Sequence, residues 1–225
     1  MIGTLVNCGT IIVGSIIGLL LSKHIPEHFR EIMIQALGLS TLFIGVRMAI
    51  SYEDPLPIVM SLLGGGIIGE WIDIEGRIEK LGEWMKAKLA SKSSTFGAGF
   101  VTATVLYLTG PMTIVGSLRD GTVDDSSILF LKALLDGVAS IALASFYGIG
   151  VIFSAVPVFL VQGSITAAAS SLLFLQTSQV LGAITATGGV LIIGIGLNLL
   201  NIVKIRIGNF LFAFVIIIAW KVIAG

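Results

Sequence analysis

Charge is what this sequence has least of. Asp, Glu, Lys and Arg make up 12% of the 225 residues, about half of the roughly 25% usual in a soluble domain. That is too little to cover a soluble globule, and 56% hydrophobic residues with a mean hydropathy of +1.05 agree. Thirteen basic residues balance thirteen acidic ones, which excludes the basic surface that nucleic-acid binding needs. The single cysteine, Cys8, excludes a disulfide within the chain and a multi-thiolate zinc site. The two histidines, His24 and His28, stand either side of Pro26, which argues against the continuous helix that would make them a metal-binding pair. No P-loop or dinucleotide fingerprint is present. Neither an enzyme nor a cofactor is expected. What remains is an integral membrane protein.

Eight stretches are apolar enough to be spans: Ile2–Ser22, Glu31–Ile50, Pro57–Glu70, Phe96–Leu118, Ile128–Tyr147, Ile149–Phe174, Gln179–Leu200 and Ile205–Trp220. The expected fold is all-α, a polytopic transmembrane bundle of about eight spans, or seven, in one domain over residues 1–225. The sixth stretch is long and holds Pro157 and Gln162–Gly163, so a kink or break is expected there. The first stretch has no basic residue before it and exceeds the core of a signal peptide, so it reads as a retained helix.

With eight spans, nine basic residues (Lys23, Arg30, Arg77, Lys80, Lys86, Lys88, Lys92, Lys204, Arg206) fall on one side and Arg47, Arg119 and Lys221 on the other. The positive-inside rule makes the first side cytoplasmic, with both termini outside, in a bacterial-type inner membrane. Between spans three and four, residues 73–94 carry Ile74, Ile78, Leu81, Met85 and Leu89 at helical spacing with basic residues around them. This reads as an amphipathic helix on the cytoplasmic surface, and a docking site is the alternative.

One short pattern occurs three times: Asn7-Cys8-Gly9-Thr10-Ile11-Ile12-Val13-Gly14-Ser15, Thr109-Gly110-Pro111-Met112-Thr113-Ile114-Val115-Gly116-Ser117, and Thr187-Gly188-Gly189-Val190-Leu191-Ile192-Ile193-Gly194-Ile195. Read as a repeat, it makes spans one to three and four to six an inverted pair, a build that recurs in secondary transporters. In the middle copy, Pro111 lacks the N–H that would continue a helix and favours a first helical position, so Thr109-Gly110-Pro111 predicts a discontinuous helix. A break at membrane depth is tolerated beside protein or a water-filled cavity. Its new N-terminus suits an anion, and the carbonyls ending the first half suit a cation. Most other glycines read as close-packing positions, with Gly14 and Gly18, Gly64–Gly66 with Gly69, and Gly194 with Asn198 as examples.

Charges inside spans are costly and face the bundle interior. Lys132 and Asp136 lie four apart on one face of span five, either as a structural ion pair or as a switchable pair facing substrate. Asp120, Asp124 and Asp125 read as a solvated loop in which Asp125, Ser126 or Ser127 caps span five; clustered carboxylates also suit a cation. Glu70 and Asp73 close span three. Asn7, Gln35, Gln162, Asn198 and Asn209 are buried amides that either join helices or line a path.

The run Thr109–Ser117 with Asp120-Gly121, the groups Lys132-Ala133 and Leu135-Asp136-Gly137, and the run Gly188-Gly189 through Gly194-Ile195-Gly196-Leu197-Asn198 resemble a prokaryotic membrane family. So does the opening Gly3-Thr4-Leu5-Val6-Asn7. The family is domain of unknown function 554, and the resemblance spans essentially the whole chain. It implies a multi-spanning inner-membrane protein and supplies neither substrate nor site residues.

The expected function is a secondary transporter or facilitator of a small ion or solute, with an oligomeric channel, or a non-transporting scaffold or sensor, as the alternatives. The candidate site residues are Asn7, Thr109, Gly110, Pro111, Asp120, Lys132, Asp136, Thr187, Gly188 and Asn198. The lipid bilayer and further copies of the chain are the expected partners.

Overall fold

The computed structural model describes residues 1–22, 26–77, 80 and 95–224. Ten α-helices are named among them: α1 Ile2–Ser22, α2 Glu27–Ala49, α3 Pro55–Ile72, α4 Phe96–Leu108, α5 Pro111–Thr122, α6 Ser127–Tyr147, α7 Gly150–Phe153, α8 Ala155–Ala167, α9 Ser178–Leu199 and α10 Phe212–Ala224. Short 3₁₀ turns cover Ala169–Ser171, Leu173–Gln176 and Ile207–Leu211. The proposed surface helix lies mostly outside the described residues, as do Lys23 and His24.

Helix boundaries follow local chemistry. With Pro26 at its N-cap, α2 starts at Glu27, four residues ahead of the expected Glu31. Asp54 caps α3 by accepting the Leu56 N–H at 3.1 Å, and Pro55 occupies the first turn, where its missing N–H costs nothing. At the other end Asp73 turns left-handed (φ 56°) and stops the helix. Gly148, at φ 82°, ends α6 in a conformation that favours glycine.

The sixth stretch is broken as expected. The break falls at Ser154, between α7 and α8: Pro157, in the first turn of α8, has no N–H to offer the carbonyl of Phe153, the residue that ends α7, while Gln162–Gly163 lie inside α8. It also stops at Ala167, because the chain goes over to 3₁₀ turns well before Phe174.

Among the described residues, six helical segments are long and apolar enough to cross a membrane, or seven if α4 and α5, bent by 61°, count as one. The eighth stretch is shorter as an α-helix. Five 3₁₀ residues at about 2 Å rise and thirteen α-helical ones at about 1.5 Å still give it a reach of roughly 30 Å, the thickness of a hydrocarbon core.

Contacts at the two ends of the bundle support alternating directions. At one end Leu129 fills the space beside Gly3, Thr166 and Ala169 abut Gly121, and Tyr52 covers Gly182 and lies under Lys221 at 5.1 Å. At the other, the Thr95 hydroxyl donates to the Tyr147 carbonyl at 2.6 Å, Phe96 abuts Gly150, and Arg206 reaches Glu70 and Asp73.

Glycine governs the tightest helix pairs. Gly14 and Gly18 of α1 press on the backbone of Gly137 and Ile141, so α1 runs parallel to α6. Gly38 and Gly45 of α2 meet Gly196 and Gly189 of α9 in antiparallel order, and Gly65 and Gly69 of α3 meet Ala213 and Asn209. Without side chains, backbones approach closely enough for dispersion to hold them where no hydrophobic effect acts between helices in lipid. Gly194 of α9 faces Ile207 and Ile205, the same segment that Asn198, one turn on, holds by its backbone. Among the described residues, two apolar clusters fill the interior, one around Phe96, Phe100, Tyr107, Tyr147, Leu191 and Ile195, the other around Ile114, Leu118, Ile184 and Ile217.

Candidate functional site

The break between α4 and α5 has the form expected from Thr109-Gly110-Pro111. The Leu108 end of α4 closes when Thr109 N–H donates to the Val105 carbonyl at 3.0 Å, and the Thr109 hydroxyl turns back to the same oxygen. Gly110 is extended (φ −80°, ψ 147°), Pro111 opens α5, and Thr113 N–H returns to the Gly110 carbonyl at 3.1 Å. The Thr113 hydroxyl donates to the Tyr107 carbonyl at 3.0 Å, which satisfies one acceptor freed by the break. Gly188, near the middle of α9, lets Thr109 approach, for a Cβ there would stand 2.4 Å from Thr109 Cγ2. A Cβ at Gly110 would meet nothing within 4 Å. The runs beginning at Thr109 and Thr187 therefore meet, about halfway along α9.

The run beginning at Asn7 leads elsewhere. On α6, Lys132 and Asp136 pair one turn apart, with side chains only 5% and 11% exposed. From α1, Asn7 Nδ2 donates to Asp136 Oδ2 at 3.1 Å and to Gln162 Oε1 of α8 at 2.9 Å. Asn7 and Gln162 are fully buried, yet Asn7 Oδ1 and Gln162 Nε2 have no partner. An orphaned polar atom in a protein interior costs about 1–3 kcal/mol, so two of them around one buried ion pair need a reason.

Tyr107 connects the two places. Its ring lies 5.9 Å from Lys132 Nζ, within cation–π range. Its hydroxyl shares a 2.7 Å hydrogen bond with Ser140 of α6, and its carbonyl holds Thr113 across the break. Cys8 stands behind Asn7 and directs its thiol to the Ala155 carbonyl at 3.5 Å.

The remaining candidates have other placements. Thr187 spends its hydroxyl on Ala183 of its own helix at 2.9 Å. Asn198 clamps the Ile205 backbone with two bonds of 2.8 Å, which joins α9 to the segment before α10. Asp120 accepts from Ser126 and the Met1 ammonium at the far end of the bundle. Ser126 is the N-cap of α6 but uses its hydroxyl on Asp120, and Asp125 takes Ser127 N–H at 3.0 Å instead. Among the described residues no group of three His, Cys, Asp or Glu side chains is placed to hold a metal ion.

Sequence reasoning named Gln162 without placing it beside Asn7, and it missed Tyr107 and Ser140. It also missed a second polar network. Arg206 reaches Glu70 at 2.6 Å and also Asp73. Gly208 N–H donates to buried Glu75 at 2.9 Å, and Glu75 N–H donates to Asn209 Oδ1 at 2.7 Å. The Arg206 hydrogen bond to Asp73 holds that carboxyl below its usual range.

A crevice of about 360 Å³ between α1 and α6, lined by Val6, Gly9, Val13, Leu134 and Val138, is open and almost wholly apolar, so it offers a charged solute nothing.

The sequence profile of the family described as "Protein of unknown function (DUF554)" matches residues 2–222. The chain is 33% identical over 216 residues to the "Uncharacterized membrane protein YdfK" of Bacillus subtilis (strain 168), an alignment covering 94% of this chain and 91% of that one. It is 28% identical over 218 residues to the "Uncharacterized protein YqgA" of Escherichia coli (strain K12), covering 94% and 92%. No solved structure gives a significant match. With its run of apolar helices, the chain is a multi-pass membrane protein that belongs to the DUF554 family.

Proposed function

We propose that this protein is a secondary transporter or facilitator of a small ion or solute, with its site at Asn7, Lys132, Asp136 and Gln162 beside the α4–α5 break. The observation that carries this reading is the pair of orphaned amide atoms around a buried ion pair. A cluster serving stability alone gains nothing from leaving a donor and an acceptor unused in a low-dielectric interior. A site that takes up a solute keeps such groups in reserve for it.

The break supports the same reading. It places a helix start about halfway along α9, next to open space at Gly110, and Tyr107 ties that hinge to the ion pair. Movement of α5 against α9 therefore reaches Lys132 through one side chain. The basic end of the bundle, with Arg77, Lys204 and Arg206, is the cytoplasmic one by the positive-inside rule, and the membrane is the bacterial inner membrane.

The test is uptake into vesicles of purified protein, screened by stopped-flow light scattering with salts and uncharged solutes. The proposal expects uptake that saturates with concentration and is lost in Asp136→Asn protein of equal yield. Wild-type vesicles indistinguishable from protein-free ones across the screen refute it.

A further inference from the structure

The Asn7–Asp136–Gln162 hydrogen bonds have a second, equally complete arrangement. In the first, Asn7 Nδ2 donates both to the Asp136 carboxylate and to Gln162 Oε1. An amide's oxygen and nitrogen are nearly isosteric, so a half-turn of both amides keeps every heavy atom in place and reverses the bonds. Asn7 Oδ1 then accepts from Gln162 Nε2 and from Asp136, provided that Asp136 carries a proton. The two atoms left without partners in the first arrangement, Asn7 Oδ1 and Gln162 Nε2, are the two that bond in the second. The cluster thus accommodates Asp136 in either charge state.

Lys132 decides what accompanies the proton. Its ammonium has Asp136 as its carboxylate partner and the Tyr107 ring for the rest. The titratable groups facing Asp136 are Lys132 on its own helix, Cys8 on α1 and Tyr107 on α4; α8 presents the amide of Gln162. Of the other helices packed on α6, α7 has no charged residue, and α2 and α5 carry theirs near their ends. Once Asp136 is protonated, Lys132 is therefore an enclosed cation without a counter-ion, a state that burial penalises heavily. Resting on the transporter reading, we infer that the site loads a small monovalent anion together with one proton. The anion replaces Asp136 as the partner of Lys132, water supplies the proton to Asp136, and the site's net charge stays at zero. A cation would find the reverse: it would need Lys132 to give up its proton beside a donor-rich cluster.

The test is binding to solubilised full-length protein, so it does not depend on flux. Chloride, nitrate and pyruvate serve as probes in weakly buffered solution. The expected result is uptake of about one proton per chain on binding, with affinity rising about tenfold per pH unit of acidification where uptake is complete. Asp136→Asn protein is expected to bind with an affinity independent of pH and without proton uptake. Infrared difference spectra of the wild type give a readout free of variant folding: a neutral-carboxyl C=O band appears on anion addition. Anion binding without proton uptake, no binding of any of the three anions, or proton release on binding of sodium or potassium overturns the inference. If it fails while vesicles still carry a solute, the transporter reading stands; if proton-linked binding is found and vesicles carry nothing, that reading falls and the site assignment stands.

Discussion

Removing the Lys132–Asp136 charges one at a time, and then together, separates what the pair does for the fold from what it does for transport. Both side chains are almost enclosed. Asp136→Asn leaves the Lys132 ammonium facing only the Tyr107 ring, and Lys132→Gln leaves a carboxylate held by one Asn7 donor. Stranding one member of a buried pair costs about 3–5 kcal/mol, whereas removing both charges is often neutral. At roughly 2–4 °C per kcal/mol for a chain of this length, each single variant is expected to lose roughly 6–20 °C in Tm. The double variant K132Q/D136N should regain most of that. The assay is thermal unfolding in detergent followed by size-exclusion chromatography, with vesicle uptake measured in parallel. Uptake should be lost in all three variants, including the stable one. Single variants within about 1 kcal/mol of wild type would refute the enclosed-pair geometry, because a hydrated pair costs no more than that to break.

Three further outcomes follow from other parts of the molecule. Gly14→Val places a Cβ 2.2 Å from the Gly137 carbonyl and should cost about 3 kcal/mol or more through separation of α1 from α6, whereas Gly9→Ala, with nothing within 4 Å, should leave Tm unchanged. Asn198→Ala removes both bonds to Ile205 and should cost about 1–3 kcal/mol in thermal unfolding, while the ratio of uptake rates between solutes stays fixed. The Arg206 hydrogen bond depresses the Asp73 carboxyl, so its contribution is present above the unfolded value of about 3.9 and is lost as pH falls through the lower folded value. Asp73→Asn should therefore lower Tm at neutral pH and converge with wild type only in acid.

The spans were legible because apolar length is a composition signal: Ile2–Ser22 appears in the structure with the expected ends. The break at Thr109-Gly110-Pro111 was legible because proline's missing N–H acts locally. The break in the sixth stretch was legible for the same reason, since Pro157 stands four residues after Phe153, where α7 ends. The Lys132–Asp136 pair was legible from its spacing within one helix. Its union with Asn7 and Gln162 was not, since it joins residues 129 and 155 positions apart and depends on how α1 and α8 lie against α6. The three similar runs are not placed alike. The packing brings the second and third together at Gly188 and sends the first to the ion pair instead.

The central claim is that solute crosses the membrane through the polar cluster of α1, α6 and α8. The most direct test compares uptake of the solute that the vesicle screen finds carried, chloride being the first choice, by vesicles holding equal amounts of wild type and of the K132Q/D136N protein. That variant lacks the site's charges and is expected to keep the fold. The account predicts saturable uptake by the wild type and uptake no faster than in protein-free vesicles by the variant. Equal uptake by the two proteins would contradict it.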